Sequence, residues 1–181
     1  HLTITDNTIH HVGRIFHQGV GVLLGHAFDC TVAHNHIHHA AYTGISLGWT
    51  WGFRETPSRN NRIENNLVHD IGAGVLSDMG GIYVLGVQPG TVIRGNHLHH
   101  IWSQAYGGWG IYLDEGTSHV IVEHNLGHDT KNAPFNIHYA REAVVRHNIF
   151  ARGQHALASV YRVEPGHFSA SFFQNILVGP S

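Results

Sequence analysis

Residues suited to acid–base chemistry are unevenly supplied: the 181-residue chain carries 20 His against only 12 Asp+Glu and 10 Lys+Arg. Two of the acids, Asp78 and Asp114, stand beside apolar, aromatic-rich segments, "SDMGGIYVLG" and "GGWGIYLDEG". A carboxyl at the end of an apolar strand, next to Trp109 and Tyr112, is desolvated, and its pKa moves up toward general-acid use. Two carboxyls facing one bond can cleave an acetal. They stand about 5–5.5 Å apart when configuration is retained and about 6.5–9.5 Å apart when it is inverted. The competing reading is that Asp78 caps a turn and Asp114 closes one. Spacing alone leaves both open.

Aromatic residues gather around the same segments. All four Trp (Trp49, Trp51, Trp102, Trp109) fall in the middle of the chain, with Tyr83, Tyr106 and Tyr112. Trp and Tyr on an exposed face stack on sugar rings; the alternative is that some of them seal loops onto the core. The stretch "GWTWGFRETPSRN" (48–60) places Trp49, Trp51 and Arg54 in one loop, and Glu115 follows Asp114 directly.

The histidines invite a metal reading, most of all in "NHIHH" (35–39). Metal sites need ligands that converge on a point, with carboxylate or thiolate support. These histidines instead recur in the pattern N-x-[I/L]-x-H: Asn7-Ile9-His11, Asn35-Ile37-His39, Asn65-Leu67-His69 and Asn96-Leu98-His100, with Leu126-His128 behind His124. Degraded copies follow at Asn148-Ile149 and Asn175-Ile176. The expectation is a column of His11, His39, His69, His100 and His128, and a second of His10, His38 and His99, stacked rather than coordinating. No metal and no cofactor are expected.

That repeat, at intervals of 23–31 residues, specifies the scaffold. Each unit holds two further short β-branched runs, one before the Asn ("TVAHN", "TVIRGN", "VIVEHN") and one about ten residues after it ("GVLLG", "GISLG", "GIYVLG", "GIYLD"). Three strands per unit describe an all-β, right-handed parallel β-helix of about seven rungs, stacked about 4.8 Å apart. An immunoglobulin-like sandwich would need turns every 8–12 residues and leaves the common register unexplained. Residues 1–181 read as a single domain. Its open ends and its His start suggest a piece of a longer solenoid, flanked by further rungs or an accessory domain of the parent chain. Stacked Asn side chains can bond to their copies above and below. Asp78 and Asp114 are 36 residues apart, and so fall on adjacent rungs.

Composition narrows the partners. A net charge of −2 without a basic stripe argues against nucleic acid, and no apolar run is long enough to span a membrane. The single Cys30 excludes an internal disulfide.

The segments "WTWGFRETPSRNNRIENN", "SDMGGIYVLGVQPGTVIRGN", "GGWGIYLDEGTSHVIVEHN" and "REAVVRHNIFA" resemble the β-helix glycoside hydrolases of family 141, over roughly residues 40–181. The resemblance implies a glycosidase, α-L-fucosidase- or xylanase-like, with a catalytic pair at Asp78 and Asp114. Trp49, Trp51, Arg54, Tyr83, Trp109, Tyr112, Glu115 and His138 are then the expected substrate contacts. The substrate would be a plant cell-wall or related polysaccharide or oligosaccharide, met in a secreted or periplasmic setting. The segment "APFNIHYA" departs from the family pattern, with Asn136 at the first of two positions usually held by His; His138 remains. A polysaccharide lyase or uronate epimerase is the competing enzyme, disfavoured by a single lysine (Lys131) and no acidic cage for calcium. A non-catalytic carbohydrate-binding β-helix is the third reading.

Overall fold

A computed structural model describes residues 1–179. Its strands are three to five residues long, all paired in parallel, with no α-helix among the described residues. Two sheets have seven strands and the third has six, and each strand pairs with its counterparts one rung before and after. This is a parallel β-helix of about seven rungs, right-handed as parallel crossover connections are.

Inward positions repeat from rung to rung. Val32, Ile63, Ile93, Val122 and Val145 stack on one sheet, and Ile37, Val68, Leu98 and Phe150 on the second, all shielded from solvent. Each such side chain contributes about 1.5–3 kcal/mol by leaving water. On the third sheet the strands Gly80–Val84 and Trp109–Leu113 are buried on both faces. Their outward residues Tyr83, Trp109 and Tyr112, with Leu85 just past the first strand, form a second apolar cluster outside the solenoid core.

The polar seam is an asparagine ladder of Asn7, Asn35, Asn66, Asn96, Asn125, Asn148 and Asn175. Each Nδ2 donates to the Oδ1 of the next copy at 2.9–3.0 Å. The ladder corrects the expected register on two rungs: Asn66 replaces Asn65, and Asn125 takes the place assigned to His124. The neighbouring Asn65 and His124 occupy a left-handed position (φ 54° and 55°) shared with Asp6, His34, His147 and Gln174, which turns the chain into the ladder.

The one-residue correction moves His69 and His128 from the outer column to the inner one. The inner column is His10, His38, His69, His99 and His128, with centroids 4.8–5.3 Å apart and ring planes within 8° of parallel. The outer column reads His11, His39, Asp70, His100 and Asp129, all left-handed.

Candidate active site

Asp78 and Asp114 meet on the outside of the third sheet although one precedes its strand and the other follows. Asp78 is itself left-handed (φ 55°), which bends the approach to strand Gly80–Val84 outward. Its carbonyl accepts from Tyr42 Oη at 2.7 Å, and its amide donates to the Tyr106 carbonyl at 3.1 Å. Directly above it the chain has room only for glycine. A Cβ on Gly107 (φ 96°) would stand 2.9 Å from the amide nitrogens of both Asp78 and Met79.

The carboxyls are held by different partners. Asp114, 4% exposed, accepts from Tyr83 Oη at 2.5 Å and from His138 Nδ1 at 2.8 Å. Asp78 accepts a longer bond, 3.3 Å, from Tyr112 Oη, and the same phenol interacts with Asp114. One hydroxyl therefore stands between two carboxyls from adjacent rungs.

Burial, reinforced by the negative charge of Asp114, pushes the Asp78 carboxyl above its ordinary range. Burial and the two aspartates also drive the Tyr83 and Tyr112 phenols far upward, so both remain obligate donors. The two rings stack 4.8 Å apart at 12°, and Trp109 lies 4.2 Å from Tyr112, making an aromatic floor.

Above this floor is an open cavity of about 570 Å³. Of the ten residues singled out from sequence, seven line it: Asp78, Asp114, Trp51, Trp109, Tyr112, Glu115 and His138. Three do not. Tyr83 is buried beneath Tyr112 and reaches the site only through Asp114. Trp49, as exposed as Trp51, meets it edge-on at 5.7 Å, and Arg54 occupies an exposed part of the same loop. That loop is pinned by close backbone contact. Gly52 N donates to Glu115 O at 3.4 Å, and a Cβ on Gly116 (φ 83°) would collide with the Gly52 carbonyl.

The cavity also contains Tyr106 and Asn136, which the sequence marked only as part of the aromatic cluster and as a departure from the family pattern, and Asn132, Tyr161 and Arg162, which it did not mark. Tyr161 ends the strand one rung beyond His138, with which it pairs in register, so stacking the third sheet would have found it. Arg162 and Glu115 are shared with an adjoining cavity of about 400 Å³, which extends the cleft toward Phe53 and Glu164. Three wall atoms are buried without a protein partner: Trp109 Nε1, Asn132 Oδ1 and Asn136 Nδ2. Such groups are rare in protein interiors.

Lys131 takes no part in the cavity chemistry. Its ammonium donates to the carbonyls of Ser103, Gln104 and Ala105 at 2.7–2.8 Å and fixes the loop that carries Tyr106. No group of three or more His, Cys, Asp and Glu side chains suited to a metal ion occurs among the described residues.

The comparisons agree on architecture. A family model for the right-handed β-helix region matches residues 56–180. A solved structure titled a glycoside hydrolase superposes with a TM-score of 0.61 at 23% identity, over 99% of this chain and 26% of that one. The chain thus spans about a quarter of that protein's length, and at such identity the likeness is one of fold. No curated protein matches.

Proposed function

The chain belongs to the right-handed β-helix family, and on that scaffold we propose that it is a glycoside hydrolase acting on plant cell-wall or related polysaccharides and oligosaccharides. The observation that carries the proposal is the pair Asp78 and Asp114, facing one cleft across the Tyr112 hydroxyl. Asp78, whose carboxyl is pushed above its ordinary range by burial and by its acidic neighbour, is the general acid that protonates the glycosidic oxygen. Asp114, accepting from Tyr83 and His138, is the acceptor and nucleophile on the other side of the sugar carbon.

Other features support the same reading. The floor of Trp109 over Tyr112 and the wall of Trp51 are apolar surfaces of the kind that stack on sugar rings. The continuation past Glu115 and Arg162 gives room for a second sugar unit. The lyase and epimerase reading loses its lysine base, because Lys131 is tied to three carbonyls.

The test is hydrolysis of plant-wall oligosaccharides by the protein and by Asp114→Asn, scored by reducing ends, with the product anomer followed by NMR. Release by the native protein, a single product anomer and a loss of about 10³-fold or more in Asp114→Asn are expected. Undiminished hydrolysis by Asp114→Asn would sink the assignment.

A further inference from the structure

Of the four tryptophans, Trp102 alone belongs neither to the cleft nor to the loop that walls it. It lines a second cavity, of about 400 Å³, at the corner where the chain leaves the second sheet for the third. Two short loops separate this cavity from the cleft. Ala73 and Val75 line the second cavity while Asp78, farther along the same loop, lines the cleft, and Trp102 and Tyr106 divide in the same way. The loops are tied to each other. Gly74 N donates to Trp102 O at 3.2 Å, Gln104 N to Leu76 O at 2.8 Å and Ala105 N to Ser77 Oγ at 3.0 Å. A fixed ridge therefore stands between two depressions.

Register leaves Trp102 uncovered on one side. Ala40, Ile71 and Ile101 pair across three rungs, so Ala41, Gly72 and Trp102 follow one another at the corner. The rungs before the indole offer only a methyl group and bare backbone, and the ring stays half-exposed. Polar atoms without a protein partner share the cavity with it. Asp70 accepts from His69 through Oδ2 at 2.6 Å and keeps Oδ1 free. The exposed Arg14 makes no hydrogen bond or ion pair among the described residues. The exposed rings of His11 and His39 are engaged at Nδ1 by His10 and His38, which leaves each Nε2 open.

We infer that this cavity is a second saccharide site, which holds a neutral glycan chain without cleaving it. An aromatic wall beside a few polar groups is the usual make-up of a small-molecule site, and a sugar ring lays its apolar face on an indole. The polar set suits hydroxyl groups: the Asp70 oxygen accepts from them, the Arg14 guanidinium donates to them, and an imidazole nitrogen does either. The charges of Arg14 and Asp70 offset each other, which favours a neutral sugar over a uronate. Asp70 is the only carboxyl in the lining, so the pair of carboxyls that acetal cleavage needs is missing. A long chain can cross the ridge and engage both depressions, the second contact forming at the high effective concentration of a tethered segment. A short oligosaccharide fills only one.

The test is native electrophoresis of the protein through gels containing soluble xyloglucan or mixed-linkage β-glucan, with polygalacturonate as the acidic comparison. The retardation is read whether or not the protein hydrolyses the polymer, so it decides this site separately from the glycosidase reading. The native protein and Asp114→Asn should both be retarded by a neutral polymer. Trp102→Ala and the exposed double variant Arg14→Ala/Asp70→Asn should bind that polymer about tenfold or more weakly. The double variant should keep the native melting temperature and hydrolyse short aryl glycosides at the native rate. Retardation by polygalacturonate alone, retardation by none of the polymers, or retardation by the neutral polymers that is unchanged in both variants would overturn the inference.

Discussion

Tyr83 donates its hydroxyl to Asp114 Oδ2 at 2.5 Å from a ring that never reaches the cleft. Its phenol is held protonated by burial and by the aspartates, so it cannot act as a base. It fixes the carboxylate while His138 holds the other oxygen at 2.8 Å. Tyr83→Phe keeps the stacking on Tyr112 and removes one donor to a buried charge. The expected cost is about 1.5–3 kcal/mol of stabilisation at Asp114, read as a 10- to 100-fold fall in kcat with KM nearly unchanged. An unaltered kcat would show that Tyr83 is only floor.

The proposed acid role of Asp78 predicts an alkaline limb in the pH–rate profile. A general acid must be protonated to work, so turnover is full below its elevated pKa and declines as pH rises through it. Asp78→Asn should abolish that limb and slow hydrolysis of natural glycosides by about 10²–10⁴-fold. Aryl glycosides whose leaving group needs no proton should lose far less. Equal losses on both substrate types would remove Asp78 from the acid role.

The inner histidine column makes the fold acid-labile. Burial, together with neighbouring imidazoles, pushes His99 down to about 4 and lowers His38 and His97. Folded values below the ordinary value near 6.5 mean that the unfolded chain takes up protons first. The stabilisation is complete above about pH 6.5 and is lost as pH falls toward 4. The melting temperature should drop on the order of 5 °C or more between pH 7.5 and 5, and His99→Gln should flatten the dependence. A melting temperature indifferent to pH over that range would contradict it.

The asparagine ladder carries a larger share of stability per residue. Asn96, 1% exposed, accepts from the amide and Nδ2 of Asn66 and donates to Asn125 Oδ1 and the Ile63 carbonyl. Asn96→Ala removes the acceptor of the Asn66 amide, one of the two bonds of Asn66 Nδ2 (which keeps the Val32 carbonyl) and a donor to the Ile63 carbonyl, for a loss of about 2–4 kcal/mol. Urea unfolding measures it; a loss below about 1 kcal/mol would mean that water replaces the amide.

How much of this was legible in the sequence follows the repeat. Rung count, sheet order and the inward Ile and Val positions come from local patterns that recur, so they could be read directly. The register slipped only at "NN" (65–66) and "HN" (124–125), where two candidate residues lie side by side and the left-handed geometry that chooses between them is not written in residue type. The site was partly legible because its aspartates and aromatics break the repeat. The placing of Tyr106, Asn132 and Arg162 was not, since they converge from loops whose paths depend on contacts such as Lys131 to the 103–105 carbonyls. Tyr83 and Tyr112 occupy equivalent register positions, and sequence cannot say which of two stacked rings covers the other.

Gly116 separates binding from chemistry. Its left-handed φ of 83° and the Gly52 carbonyl, 1.8 Å from where a Cβ would stand, hold the Trp49–Trp51 loop against the turn that follows Asp114. Gly116→Ala must push that loop outward, because the obstacle is backbone rather than a movable side chain. Trp51 then leaves the cleft wall, while the Asp78–Tyr112–Asp114 group keeps its bonds on the sheet beneath. Losing one sugar-stacking wall removes binding shared by ground and transition states. Gly116→Ala should therefore raise KM for oligosaccharides several-fold, leave kcat within about twofold, and barely affect small aryl glycosides that do not reach Trp51. A matching fall in kcat on both substrate types would show instead that the turn itself positions Asp114.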